Sequence, residues 1–431
     1  MTDGVVPLLV SAGEASADRL AALTLRALPS VGLHAYCFGL GAVACHLAGM
    51  RPVEPSAQAP IIGLMGVTPV LRRAYHLARA FRALLQAARR LRPRAALLVG
   101  CSEFNTHLGR RLRRIGIPVL WCAAPQVWAS RASRLSRLHD AVDTIAVILP
   151  FEQPLWASAG YDAYYVGHPA EELTRAALSN ATASASIGSS ARPRRLVLLP
   201  GSRDHEVRTM LTILITAAAR WRTLQQTQHN ETWAVRAVLS QALSPGTQSW
   251  TRDRLRAASI ETITADSVLG APRWLLDSDL SLCVSGTASL EACLAGAFPV
   301  IAYRTDPITA AVAKRVVTTP FLGLPNILLD RQAFPELVQR QLTPTNLVHA
   351  LASLHTPQAR RAASQAQTSL RNLLHVNDDQ SYGERTARLL QHLLHARNAR
   401  TPGAPPAPSS CNHTRDSLCH GAAVGTSLSD A

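Results

Sequence analysis

Short apolar runs that close on a glycine-bearing turn and give way to an amphipathic helix recur along this chain, and no other feature constrains its fold as much. The first run, residues 5–10, ends in Ser11-Ala12-Gly13-Glu14 and leads into a helix expected from about residue 16 to 28. Residues 34–38 form a second strand candidate, closed by Gly39 and Gly41. Residues 95–99 form another, followed by a helix over about 105–115, and 119–122 and 144–149 add two more. Continuous apolar runs of strand length read as strands buried on both faces, and their alternation with helices makes a parallel sheet covered on both sides. The pattern restarts at 196–199 and continues through 233–239, 280–284 and 299–303. Between the two series the composition shifts to Ala, Ser, Thr and Gly, as in a linker. The expected organisation is an α/β chain with a first domain over 1–171, a linker over 172–194 and a second domain over 195–400, its last helix free to pack back on the first. Residues 401–431 are rich in Pro, Ser, Gly and Thr and are expected to be disordered. Open parallel sheets bind ligands beyond the C-terminal ends of their strands, so a site is expected in the cleft between the domains.

The composition suits two cores. Of 431 residues, 47% are hydrophobic and 17% charged. Only 5% are aromatic, so the cores must be built from Leu, Val, Ile and Ala. The net charge is +16, nearly all of the positive charge is arginine, and Lys314 is the only lysine. That bias resembles a genome-wide preference more than a binding adaptation, but the excess favours anionic partners: phosphates, sugar nucleotides or an anionic membrane surface. The chain has no helix-turn-helix, RNP or zinc-finger pattern, so nucleic acid is not an expected partner. Its eight cysteines lack paired CxxC spacing, and most read as small buried hydrophobes in a reducing compartment. Cys411, His413, Cys419 and His420 read as incidental residues of the tail. The N-terminus carries Asp3 and no basic region, so no secretory signal is expected. No apolar run reaches about 18 residues, and any membrane contact is expected to be peripheral.

Four constellations carry chemistry, each where a strand gives way to a helix. Ser285-Gly286-Thr287-Ala288-Ser289-Leu290-Glu291 places backbone N–H groups at a helix N-terminus, a site for a diphosphate. Glu291 follows one turn later, where a carboxylate can accept ribose hydroxyls. The same turn also reads as an ordinary cap with Ser285 or Thr287 at the N-cap. In Leu199-Pro200-Gly201-Ser202-Arg203, the arginine can neutralise a departing diphosphate. A cation at a helix start opposes the macrodipole, which argues against an idle surface position. Gly13-Glu14-Ala15-Ser16-Ala17-Asp18 offers small residues for close approach and two carboxylates for sugar hydroxyls, or equally a cap with Ser16 at the N-cap. Ala124-Pro125-Gln126-Val127-Trp128-Ala129-Ser130-Arg131 offers an aromatic wall and a cation for an acceptor phosphate.

In this order the motifs resemble the lipid-A-disaccharide synthase family, glycosyltransferases of the GT-B fold in which two Rossmann-like open parallel sheets face a cleft. The resemblance covers residues 5–395 and includes Ile62-Gly63-Leu64-Met65-Gly66, Glu103-Phe104-Asn105, Leu149-Pro150-Phe151-Glu152, Val166-Gly167-His168-Pro169 and Leu324-Pro325-Asn326. It implies a UDP-2,3-diacylglucosamine donor and a 2,3-diacylglucosamine 1-phosphate acceptor. The sugar is transferred to the acceptor 6-hydroxyl with inversion, UDP leaves, and neither metal nor cofactor is required. It further implies a cytoplasmic enzyme, peripheral on the inner face of the inner membrane, and leaves a homo-oligomer open. On this reading Ser202, Arg203, Ser285, Gly286, Thr287, Glu291 and Asn326 bind the donor. Gly13, Asp18, Asn105, Gln126, Trp128 and Arg131 bind the acceptor.

The chain departs from the family on the acceptor side. The family usually reads Ile-Asp-Ala-Pro-Asp-Phe-Asn, whereas this chain reads Val99-Gly100-Cys101-Ser102-Glu103-Phe104-Asn105. The first Asp, the family's candidate base, is Gly100, which cannot accept a proton. Gly-Glu-Thr-Ser-Gly-Asp becomes the segment from Gly13 to Asp18 with Ala15 and Ala17, and the Trp expected after Ala129 is Ser130. An active enzyme then needs a substitute base: Glu103 is the first choice and Glu14 the second, with Arg203 as the catalytic cation. Cys101 is a poor base because an unperturbed thiol is mostly protonated at neutral pH. The alternatives are a divergent or catalytically silent UDP-sugar-binding paralogue and a UDP-sugar 2-epimerase of the same layout. The Pro-Gln-Val-Trp and Leu-Pro-Asn motifs favour the synthase. Residues 69–93 interleave Arg72, Arg73, Arg79, Arg82, Arg89, Arg90 and Arg92 with Leu71, Leu77, Phe81, Leu84, Leu85 and Leu91. Such a helix suits an anionic bilayer, or packs on the sheet with a solvated basic face.

Overall fold

The computed structural model describes residues 5–53, 67–126, 128, 138–184, 194–266, 268–284, 286–306, 310 and 319–399. Two parallel sheets organise them. The first takes β1 (Val6–Ser11), β2 (Ala35–Leu40), β3 (Arg51–Pro52), β4 (Ala95–Val99), β5 (Val119–Cys122), β6 (Thr144–Val147) and β7 (Asp162–Tyr165) in the order β3-β2-β1-β4-β5-β6-β7. The second takes β8 (Arg194–Leu199), β9 (Trp233–Leu239), β10 (Glu261–Thr264), β11 (Leu280–Val284), β12 (Phe298–Tyr303) and β13 (Glu336–Val338) in the order β10-β9-β8-β11-β12-β13. Central strands such as β4, Ala-Ala-Leu-Leu-Val, are buried at every position because helices cover both faces.

Around the first sheet run α1 (Ala15–Ala27), α2 (Val43–Leu47), α3 (Val67–Leu91), α4 (Ser102–Arg114), α5 (Glu152–Ser158) and α6 (Pro169–Ser184). Around the second run α7 (Asp204–His229), α8 (Pro245–Ala257), α9 (Pro272–Leu275), α10 (Thr287–Ala295), α11 (Leu324–Leu329), α12 (Pro344–His355) and α13 (Pro357–Leu374), and α14 (Tyr382–Ala399) ends the described chain. In α3, Ala80, Leu84 and Ala88 stand one turn apart and pack with Leu9, Phe38 and Leu98, so one stripe faces the core. Its described arginines, Arg79, Arg82, Arg89 and Arg90, lie on exposed positions. The side chains of Arg72 and Arg73 fall outside the described residues, as do the 62–66 motif and the tail. In α7, Val207, Met210, Leu211, Leu214, Ala218 and Trp221 form the buried stripe. Helices α12 and α13 begin with a capping threonine before proline, Thr343 accepting from the Asn346 amide and Thr356 from that of Ala359.

Helix α14 returns to the first sheet. Tyr382, Ala387, Leu390 and Leu394 join a core with Leu8, Val10, Leu25 and Leu97. The Tyr382 hydroxyl lies 3.0 Å from Cys122 Sγ, and Arg385 donates to the Val166 carbonyl at 2.8 Å. The Glu172 carboxylate accepts from the Tyr382 amide.

Several elements differ from their sequence expectation. The stretch expected as a linker is helical as far as Ser184, because Pro169 opens α6 and Ala-rich sequence without glycine sustains it. Residues 185–193 fall outside the described residues. Helix α4 starts at Ser102 rather than 105, because Gly100 and Cys101 both take left-handed backbone angles (φ 55° and 49°) and finish the turn early. The N-cap of α1 is Glu14 rather than Ser16, and that of α10 is Gly286. Strand order reverses between β1 and β4 and again between β8 and β11. The four motif loops leave those four strands, except that the Gln126 loop follows the neighbouring β5.

Candidate active site

At the first reversal point, Glu14 caps α1 in an extended conformation without a side-chain capping bond. The Gly13 amide donates to Cys101 Sγ at 3.2 Å, which ties the β1 loop to the β4 loop. Asn105 is fully buried and stitches the same two strand ends. It accepts from the Ser11 hydroxyl at 2.7 Å and donates to the Gly100 carbonyl at 2.9 Å. Burial, and then the Glu14 charge, push the Cys101 thiol up to about 12, so it cannot serve as a base.

At the second reversal point, Gly201 has φ 115°, and a Cβ there would lie 2.8 Å from Glu206 Oε2. The missing side chain lets Glu206 fold back, accept from the Ser202 amide at 3.3 Å and hold Arg203 Nη1 at 2.8 Å. Arg203 is thus aimed along the cleft. Gly286, at φ 129°, has open space where a Cβ would stand, so a ligand can approach the start of α10 closely. Glu291 is 3% exposed and faces the same space.

Two chambers make up the cleft. One, of about 280 Å³, is lined among others by Arg19, Gly201, Ser240, Gly270, Gly286 and Glu291. The other, of about 450 Å³, is lined by Glu14, Gly100, Gln126, Glu152, His168 and Leu324. Ser16, Arg203 and Thr287 line both. At the junction, Arg203 Nη2 stands 3.8 Å from Glu14 Oε2.

The structure therefore gathers Ser202, Arg203, Gly286, Thr287 and Glu291 in the first chamber, and Glu14 and Gln126 in the second. Ser285 and Arg131 lie outside the described residues. Glu103 is exposed on the first turn of α4 and lines neither chamber, because the early helix start turns it away from the cleft. Asp18 lines the first chamber, but its carboxylate accepts from the amides of Ala42, Ala44 and Cys45 at 2.7, 2.8 and 3.2 Å. It holds α1 to α2 rather than meeting a sugar. Gly13 and Asn105 line neither chamber and act as the stitches just described. Asn326 is fully buried, donating to the Phe334 carbonyl and Glu336 and accepting from the Ala333 and Phe334 amides. It pins α11 to the run into β13, with no capacity left for a donor.

Three cleft residues were missed as site residues. Glu152 is buried, accepting from Trp128 Nε1 at 2.9 Å and the Leu149 amide at 3.2 Å. Burial raises its carboxyl to about 7. Trp128 packs edge-on against Phe151 with ring centroids 5.1 Å apart, so Glu152 and Phe151 fix its indole ring. A glutamate in the apolar Leu-Pro-Phe-Glu context was the available signal. His168 is buried, accepts from the Ala170 amide at Nδ1, and is lowered to about 3 by burial and then by the Arg19 charge. It stays neutral at physiological pH and presents Nε2–H as a donor. The third is Arg19, which had no local signal. Among the described residues no cluster of three or more His, Cys, Asp or Glu side chains is placed to hold a metal ion.

The family model for lipid-A-disaccharide synthetase matches residues 8–388. The chain belongs to this family. It is 32% identical over 377 residues to a lipid-A-disaccharide synthase of Acidobacterium capsulatum, covering 84% of this chain and 90% of that protein. It is 30% identical over 388 residues to a lipid-A-disaccharide synthase of Neisseria meningitidis, covering 88% and 96%. Among solved structures, the fold is similar to S. aureus MnaA determined with UDP, with a TM-score of 0.58 at 12% identity over 94% of this chain and all of that one. It is also similar to UDP-GlcNAc 2-epimerase from Neisseria meningitidis bound to UDP-GlcNAc, with a TM-score of 0.56 at 10% identity over 91% and 100%. These last two show the two-sheet GT-B-type fold alone. Within the lipid-A-disaccharide synthase family, the glycine at 100 gains a structural context. A Cβ at that position would lie 3.3 Å from the Cβ of Ala17. The two departures noted in the sequence, at 17 and at 100, thus lie where a side chain at 100 would meet the methyl group of Ala17.

Proposed function

We propose that this cleft joins two acylated glucosamines, passing the sugar of UDP-2,3-diacylglucosamine to the 6-hydroxyl of 2,3-diacylglucosamine 1-phosphate. Membership of the family makes the chain a lipid-A-disaccharide-forming glycosyltransferase with a UDP-sugar donor and a lipid-sugar phosphate acceptor. The observation that carries the reading is the Glu14–Arg203 pair where the two chambers meet. The donor nucleotide lies in the first chamber, with its diphosphate at the start of α10 and its ribose against Glu291. The acceptor lies in the second, beside Gln126 and Glu152, whose carboxylate accepts from Trp128. The acceptor oxygen attacks the anomeric carbon, its proton passes to the Glu14 carboxylate, and the bond to UDP breaks on the opposite face. Arg203 and the α10 amides meet the charge that develops on the leaving diphosphate. The purified chain, given both acylated substrates, should release UDP and form the β-linked disaccharide 1-phosphate, read by mass spectrometry. Intact UDP binding without product would refute the transferase reading.

The exposed arginines of α3 support a second part of the proposal, a peripheral dock on the anionic inner face of the inner membrane. Among the described residues no helix is long and apolar enough to cross a membrane. Binding to vesicles containing anionic lipid should weaken as salt rises from about 0.05 to 0.5 M, because surface charges are screened over a Debye length of roughly 10 Å at 0.1 M. Equal binding to neutral and anionic vesicles in a sedimentation assay would leave α3 with its packing role alone.

A further inference from the structure

Arg19 is the fifth residue of α1, yet its guanidinium is seated in the other half of the molecule. Nη1 donates to Glu291 Oε1 at 2.8 Å, Nε to the Val268 carbonyl at 3.0 Å, and Nη2 to the Leu269 carbonyl at 3.4 Å. The seat is built for this group. Gly270 has φ 73°, and a Cβ there would stand 2.6 Å from Cζ, Nη1 and Nη2 of Arg19. The turn holding those carbonyls is closed on itself, with Asp266 accepting from the Val268 and Leu269 amides at 2.7 Å each. Asp266, Gly270 and Ala271 line the first chamber beside Arg19 and Glu291.

Neighbouring residues of α1 thus grip opposite halves: Asp18 holds the α2 turn of the first, and Arg19 holds β11–α10 and the 268–270 turn of the second. The Glu291 side chain is only 4% exposed, so its charge needs a partner, and Arg19 supplies it. Among the described residues Glu291 Oε2 has no protein donor, which leaves it to accept a hydroxyl.

We infer that Arg19 is a positioning residue of the donor site, holding Glu291 and the 268–270 turn in the geometry that receives the ribose of a nucleoside diphosphate sugar. The inference rests on the reading of this cleft as a UDP-sugar site. It makes nucleotide affinity depend on a side chain from the half of the molecule that receives the acceptor. A lysine can neutralise Glu291, but its single ammonium cannot span the carboxylate and both carbonyls as the guanidinium fork does.

The test is UDP affinity by calorimetry, with donor and acceptor KM and kcat, in wild type, Arg19→Ala, Arg19→Lys, Gly270→Ala and the Arg19→Ala/Gly270→Ala double variant. Arg19→Ala should weaken UDP binding roughly tenfold or more, the scale of one charge-assisted hydrogen bond. Donor KM should rise by a similar factor while acceptor KM stays put, and Arg19→Lys should fall between. Gly270→Ala should weaken UDP binding through the collision with the guanidinium, and by much less once Arg19 is alanine. UDP affinity within twofold of wild type in Arg19→Ala would overturn the inference. So would an equal cost of Gly270→Ala in both backgrounds; if Arg19→Ala fails to fold, Arg19→Lys decides, and UDP affinity within twofold of wild type there overturns the inference. A folded wild type that does not bind UDP would overturn the donor-site reading itself, and the inference with it.

Discussion

Glu14→Gln is expected to cut turnover by roughly 10²–10⁴, the usual contribution of a positioned general base, while leaving UDP affinity close to that of wild type. The amide cannot take the proton of the acceptor hydroxyl. Its loss of charge removes only a 3.8 Å ion pair with Arg203, whose side chain is 52% exposed. Exposed pairs of that kind are worth about 0–1 kcal/mol, so nucleotide binding should barely register the change. Glu103→Gln serves as the contrast, because Glu103 stands outside both chambers and its variant should turn over normally. Single-turnover kinetics alongside UDP calorimetry separates the two. Full activity in Glu14→Gln with a collapse in Glu103→Gln would return the base to α4 and require that loop to rearrange on binding.

Arg203→Ala should lose roughly 10²–10³ in kcat, the range found when one preorganised donor to a developing negative charge is removed. The loss should exceed any rise in donor KM, because the diphosphate carries more charge on the leaving oxygen in the transition state than in the bound donor. Arg203→Lys should recover part of it as a point charge. The fold should tolerate the change: Glu206 keeps the Ser202 amide as a partner. A kcat within threefold of wild type, with an unchanged melting temperature, would leave the amides of α10 as the main leaving-group stabiliser.

The architecture was legible because strand burial leaves a continuous apolar run and each run ends in a turn residue. The two loops proposed to hold the donor were legible as cleft-lining loops for the same local reason: Gly201-Ser202-Arg203 and Gly286-Thr287 combine a glycine with a polar residue at a helix start. What escaped were roles fixed by distant partners. Asn326 looked like a donor ligand until Phe334 and Glu336 closed on it. Arg19 meets Glu291 across 272 residues, and nothing in its own neighbourhood announces that. Gly100 and Ala17 read as two separate departures from the family, whereas a Cβ on residue 100 would press on the methyl group of Ala17. A side chain at 100 and a methyl at 17 compete for the same space, so each departure is the steric context of the other. Residue 100 also sits at φ 55°, a region that aspartate enters more readily than most side chains.

Helix α14 sets the order in which the molecule can assemble as it is made. The core beneath β1 and β4 is completed by Tyr382, Leu390 and Leu394, which leave the ribosome last among the described residues. Tyr382 bonds to Glu172 across 210 residues. At synthesis rates of about 5–20 residues per second, that gap lasts on the order of ten to forty seconds. Throughout it, the apolar faces of Leu20, Leu25 and Leu97 wait without the helix that covers them. The half made first is therefore finished second, and a nascent chain of this protein presents an uncovered apolar seam until α14 arrives.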